Sequence, residues 1–114
     1  MDISYKSKKL KKELAEEKQM LRAYGAKQAK VLKRRLAVLR AAETLHDFWP
    51  PNTRPERCHE LTGNRKGQLS MDLDQPYRLI FEVATDAPPL REDGGLDWSG
   101  VTAIKILGIE NTHD

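Results

Sequence analysis

Apolar residues recur along this chain in two rhythms, a helical one in the first half and an alternating one in the second. Before the helical rhythm, Ile3 and Tyr5 alternate with polar neighbours as in a short strand, and Ser7 stands where a helix N-cap belongs. From about Lys8 to Ala23, Leu10, Leu14 and Leu21 fall roughly on one helical face, and Gly25 supplies a break. From Ala26 to about Thr44, Leu32, Leu36 and Leu39 recur at i, i+4 and i+7, with Ala29 and Ala42 extending the stripe. The pattern predicts two helices packed as a hairpin. A coiled coil is excluded, because the heptad does not persist for the roughly three or four repeats it needs.

The second rhythm begins after a loop. Pro50, Pro51 and Pro55 cannot continue a helix or sit in a central strand, so the segment from Trp49 to Pro55 marks the change from helices to sheet. Leu69, Met71 and Leu73 then alternate with polar residues, and beyond Asp74-Gln75-Pro76 the residues Tyr77, Leu79, Phe81 and Val83 do so again. This is an antiparallel hairpin with one apolar face. Arg78, Ile80 and Glu82 must point the other way, which fixes Arg78 on rigid backbone facing away from Leu79 and Phe81. Residues 85–100, with two prolines, Gly94-Gly95 and the acids Asp86, Glu92, Asp93 and Asp97, read as a surface loop. Val101 to Ile109 is almost wholly apolar, as a central strand would be. The order strand, helix, helix, then three or four strands gives an α+β domain with its helices on one face of a sheet.

At 114 residues the chain accommodates one domain with one modest core, residues 1–114. Charge changes the picture more than length does. Residues 1–51 hold 13 Lys and Arg against 6 Asp and Glu, whereas residues 52–114 hold 7 against 11, so the net +3 conceals a basic helical half. Lys8, Lys9, Lys11 and Lys12 lie off the apolar stripe of the first helix, and Lys27, Lys30, Lys33, Arg34, Arg35 and Arg40 surround that of the second. Such a face suits nucleic acid or an acidic protein segment, although solvated helices alone would also account for it. The single cysteine, Cys58, can form no internal disulfide, and its neighbour His59 has no spaced set of further ligands to complete a zinc site. Cys58 reads as a small strand residue, and no metal or cofactor is expected. No apolar run approaches the roughly 20 residues of a membrane span, and the first residues lack the apolar core of a signal peptide, so a cytoplasmic protein is expected.

Candidate chemistry concentrates in three places: His59-Glu-Leu-Thr-Gly-Asn-Arg-Lys-Gly67, Tyr77-Arg78-Leu-Ile-Phe81, and the terminal Glu110 to Asp114. Taken singly, a histidine is an ordinary surface residue and Gly-Asn-Arg-Lys-Gly a turn. Taken together and in this order, they resemble the RelE/ParE superfamily of bacterial toxins, and within it the HigB-type plasmid-maintenance killer proteins. That family typically reads His-Pro-Leu-Lys-Gly-Asp-Arg before the hairpin, Trp-Arg-Ile-x-Phe within it and Asp-Tyr-His at the end. The matches here are His59, Leu61, Gly63, Arg65, Gly67, Ser70, Arg78, Phe81, Glu110 and His113. The departures are Thr62 for the family's Lys, Asn111 for its Asp, Thr112 for its Tyr, and an apparent insertion over about 85–100.

The resemblance implies a RelE-like β-α-α-β-β-β(-β) fold, with two N-terminal helices on a mainly antiparallel sheet. It also implies the toxin of a type II toxin–antitoxin system, a ribosome-dependent endoribonuclease that cuts messenger RNA. Metal-independent cleavage of that kind uses the substrate's own 2′-hydroxyl, so the protein must supply a base, an acid for the departing 5′-oxygen and positive charge at the phosphorane. By the resemblance, His59 and His113 correspond to active-site histidines, Arg78 to the phosphate-contacting arginine, and Asn111 occupies the position of the family's terminal aspartate. Arg65 and Lys66, in the tight loop, would contact backbone phosphates, and Lys8, Lys9 and Lys12 would help dock ribosomal RNA. The implied partners are messenger RNA, the ribosome and a cognate HigA-like helix-turn-helix antitoxin, with no membrane.

Two other readings stay open on the sequence. A ParE-like toxin would inhibit DNA gyrase by binding; His59, Arg78 and His113 argue against it, and the altered terminal motif argues for it. A catalytically decayed homologue would act as an antitoxin-binding module, with the acidic 85–100 loop covering or competing for the basic face.

Overall fold

The computed structural model describes residues 1–111. Strand β1 (Asp2–Tyr5) leads into helices α1 (Lys8–Ala15) and α2 (Glu17–Ala41), and strands β2 (His59–Glu60), β3 (Gln68–Asp72), β4 (Tyr77–Val83) and β5 (Ala103–Asn111) follow. All five strands form one sheet in the order β1-β5-β4-β3-β2, parallel only between β1 and β5. The expected α+β architecture is observed, with β5 in the interior of the sheet.

The helical region differs from its expected form in a way that packing explains. Ser7 caps α1 by accepting the Leu10 N–H at 3.1 Å, as its position suggested. The first helix does not run to Ala23, however. Glu16 adopts an extended conformation (φ −108°, ψ 118°), and the chain restarts at Glu17 with its helical phase reset. Met20 consequently takes the buried position and Leu21, expected in the stripe, is exposed. The break at Gly25 is present, at φ 83°, a conformation that costs an L-residue and not glycine. Beyond it Leu32, Leu36 and Leu39 are buried as their spacing predicts, and the helix ends at Ala41, short of Thr44.

These leucines pack against Leu69, Met71, Leu73, Leu79, Phe81, Ile104 and Ile106, so one sheet face carries the core. Burial of each such side chain contributes about 1.5–3 kcal/mol. Ile80 is fully buried yet belongs to the opposite face, opposite Ser70 on β3 and Gly108 on β5. Two polar residues tie the layers together. Gln28 accepts from the Asp74 backbone N–H at 2.9 Å and donates to its carbonyl at 3.3 Å, fixing α2 to the β3–β4 turn. Arg35 donates to the carbonyl of Asp72 at 2.7 Å and to that of Pro55 at 3.4 Å, fixing the loop before β2 against the end of β3.

The 85–100 segment is more than a solvated loop. Leu90 and Leu96 pair across a small β-bridge, and Trp98 is buried in the core, edge-on to Trp49 with ring centroids 5.1 Å apart. Trp98 also donates its ring N–H to Glu60 at 3.3 Å. Its acidic, proline-containing composition pointed to the surface, and one indole anchor within it was hidden by that composition. Cys58 lies immediately before β2 and is fully buried; burial pushes its thiol pKa up to about 12, with Glu56 and Glu60 adding to the shift.

Candidate active site

Residues paired directly across a sheet share a face, so strand register locates the site. Arg78 lies opposite Asp72 on β3 and Glu110 on β5, and His59 lies opposite Ser70. All five therefore stand on the sheet face turned away from the helices. His59 is two strands and two residues from Arg78, about 12 Å between Cα atoms for ordinary strand spacing and rise. Both side chains thus rise from the same face of the sheet.

His59 is held in a defined tautomer. Its Nδ1 lies 2.8 Å from the carbonyl oxygen of Arg57, which can only accept, so Nδ1 carries the proton. In the neutral ring Nε2 then presents a lone pair, and Nε2 lies 3.4 Å from Oγ of the buried Ser70. The imidazole is half-buried.

Arg78 is positioned by Asp72, only 5% exposed. Its Nε lies 3.6 Å from Asp72 Oδ1, a charge contact too long for a hydrogen bond, and both atoms are buried without a hydrogen-bond partner. The other carboxylate oxygen, Oδ2, accepts from Arg57 Nη1 at 3.1 Å. A buried carboxylate is costly to leave uncompensated, and here two guanidiniums compensate it. Arg57 was not singled out in the sequence, because its contact with Asp72 depends on the loop before β2 folding back beside β3.

Arg65 is also on this face, but it is engaged. Its Nη1 and Nη2 donate to the two carboxylate oxygens of Glu110 at 2.8 and 2.7 Å, and its Nε donates to Gln68 at 2.9 Å. The bidentate pair spans from the loop before β3 to β5. The hydrogen bonds from Arg65 hold the Glu110 carboxyl below the usual glutamate range, and the same pairing raises the Arg65 pKa. Lys66, its neighbour, is exposed. It lines a cavity of about 310 Å³ beneath the 85–100 segment, together with Leu69, Glu82 and Leu90; His59, Arg57 and Arg78 do not line it.

Other residues expected in the site are placed elsewhere. Asn111 pairs with Tyr77, and so shares the helix-side face with Leu79 and Ile109 and not that of Arg78. Lys8, Lys9 and Lys12 are exposed on α1, which packs on the side of the sheet opposite the site. His113 lies outside the described residues. Among the described residues no group of three or more His, Cys, Asp or Glu is arranged to hold a metal ion, and no helix is long and apolar enough to cross a membrane.

Comparison with known proteins identifies the class. Residues 3–88 match the family model of the HigB-like toxins, described as the RelE-like toxin of the type II toxin–antitoxin system HigB. The match covers most of the chain, and the chain belongs to this family. Among solved structures, the YoeB/ParE toxin from Agrobacterium tumefaciens superposes with a TM-score of 0.57 at 8% identity, covering 99% of this chain and 100% of that one, a likeness of fold. No curated protein matches the chain. The protein is therefore a type II toxin of the HigB/RelE kind, and an antitoxin is its implied partner.

Proposed function

We propose that this toxin is an endoribonuclease that cuts messenger RNA on the ribosome, with Arg78 and His59 as the residues that act on the scissile phosphodiester. The observation that carries the reading is their placement: a proton-accepting imidazole and a guanidinium anchored by a buried carboxylate share the sheet face away from the helices. In the reaction, the 2′-hydroxyl gives its proton to His59 Nε2 and its oxygen bonds to phosphorus. The P–O5′ bond breaks, and the departing oxygen takes a proton from an acid, the role left to His113. Arg78 faces the charge that grows on the non-bridging oxygens, where a fixed cation lowers the barrier most. Cleavage leaves a 2′,3′-cyclic phosphate on one fragment and a 5′-hydroxyl on the other.

Arg65, by this reading, braces the loop against Glu110 and presents Lys66, whose exposed ammonium meets the RNA backbone. The exposed lysines of α1 face a different surface and suit ribosomal RNA at a distance from the cut. A helix-turn-helix antitoxin neutralises the toxin in the cytoplasm, where its target lies. The mechanism is tested with a messenger RNA carrying a single 2′-deoxynucleotide at the mapped cleavage position. That substitution abolishes cutting if the 2′-oxygen is the nucleophile, and unchanged cutting rules the mechanism out.

A further inference from the structure

We infer that Arg57 is a second phosphate-binding guanidinium of this face, coupled to Arg78 through Asp72, so that one phosphodiester of bound RNA is held between the two arginines. The inference rests on the proposal above that the face receives RNA.

Charge is the first ground. Asp72 is buried and neutralises one positive charge, yet two guanidiniums converge on it. A single arginine would compensate the carboxylate, so the cluster keeps one surplus positive charge, with His59 beside it. Donor geometry is the second. Arg57 spends only Nη1 on Asp72, and its Nε and Nη2 have no hydrogen-bond partner among the described residues. Arg78 makes only its 3.6 Å charge contact with Asp72, and both its Nη atoms are likewise unpaired among the described residues. The two side chains are about a third and a quarter exposed, so these donors reach solvent from an anchored base. A phosphate, with oxygens in several directions, satisfies donors from two forks at once.

Backbone geometry is the third. Arg57 sits at φ 47°, in the left-handed region that costs a residue with a side chain. It is kept there by surrounding bonds: its N–H donates to Thr53 at 2.8 Å, Asn52 N–H to the carbonyl of Cys58 at 2.9 Å, and Asp72 N–H to that of Glu56 at 2.7 Å. This conformation places the Arg57 side chain on Asp72 while its carbonyl receives His59 Nδ1–H. One residue thus sets both the imidazole tautomer and the second guanidinium. A counter-ion for Asp72 alone would need neither the fork nor the strained backbone.

The test uses the full chain and a short RNA-sequence oligonucleotide with 2′-O-methyl groups throughout, which can bind but not be cut by 2′-oxygen attack. Binding is followed by NMR through the arginine Nε–H resonances and repeated across salt concentrations, for wild type, Arg57→Lys, Arg57→Ala and Arg78→Ala. Arg57→Lys preserves a counter-charge for Asp72 and removes only the fork, so it decides the matter even if Arg57→Ala fails to fold. The expected result is that binding shifts both Arg57 and Arg78 resonances and that Arg57→Lys weakens affinity on the order of 10-fold, with a larger loss and a shallower salt dependence in Arg57→Ala. Wild-type affinity and salt dependence in Arg57→Lys, or no binding by the wild type, overturns the inference. Failure of the nuclease proposal looks different: the oligonucleotide binds through both arginines, yet unmodified messenger RNA stays intact.

Discussion

Arg65 and Glu110 face each other as a two-point pair, both terminal guanidinium nitrogens donating to both carboxylate oxygens at 2.8 and 2.7 Å. The pair is partly exposed, so solvent screens it, and Glu110→Gln is expected to lower stability by no more than about 1 kcal/mol at neutral pH. Because Arg65 lowers the folded-state pKa of Glu110, its contribution is present above the ordinary glutamate range and is lost as pH falls through the depressed folded value. Urea unfolding of both proteins across pH should show a gap at pH 7 that closes toward the acid end. A gap of constant size would mean that the charge pair is not its source.

Asp72 is the anchor of the arginine pair, and Asp72→Ala leaves Arg57 and Arg78 without it. Breaking a buried ion pair on one side typically costs about 3–5 kcal/mol; here both cations reach solvent, so about 2–3 kcal/mol is expected. Cleavage should fall at least about 10-fold under conditions where the variant is folded, because Arg78 loses its fixed position. Near-wild-type activity would show that Arg78 needs no such anchor.

The imidazole of His59 should be the Nδ1–H tautomer when neutral, because only a protonated Nδ1 can donate to the Arg57 carbonyl at 2.8 Å. Nitrogen-15 chemical shifts of the ring distinguish the forms directly. A neutral ring protonated at Nε2 would have no lone pair there to take the proton of a 2′-hydroxyl.

Cys58 is enclosed and its thiol pKa is raised to about 12, so at pH 8 almost none is thiolate. Alkylation by iodoacetamide is expected to be undetectable on the native protein over a period that labels the unfolded chain completely. Native labelling at the unfolded rate would place Cys58 outside the core.

The sequence was informative where side-chain periodicity dominates. The α2 leucines and the β3–β4 hairpin repeat their periods without interruption, and the resulting face assignment put Arg78 opposite the core. Glu16 is different: nothing in Ala15-Glu16-Glu17 opposes a helix locally, and the break there swaps Leu21 for Met20 in the core. The site divides the same way. His59 and Arg78 could be singled out from the motif, but the Arg57–Asp72 partnership depends on a loop folding back beside β3, which no local pattern encodes. Asn111 shows the limit of motif spacing, since the strand alternation that put Glu110 with Arg78 puts its neighbour on the other face.

Cleavage of a defined messenger RNA by the purified toxin, with and without programmed ribosomes and with Arg78→Ala in parallel, decides whether this face cuts RNA on the ribosome. Cutting that requires the ribosome and falls by at least about 100-fold in the variant is the predicted result. RNA left intact by the wild type in the presence of programmed ribosomes, or cut equally by the Arg78 variant, would contradict it.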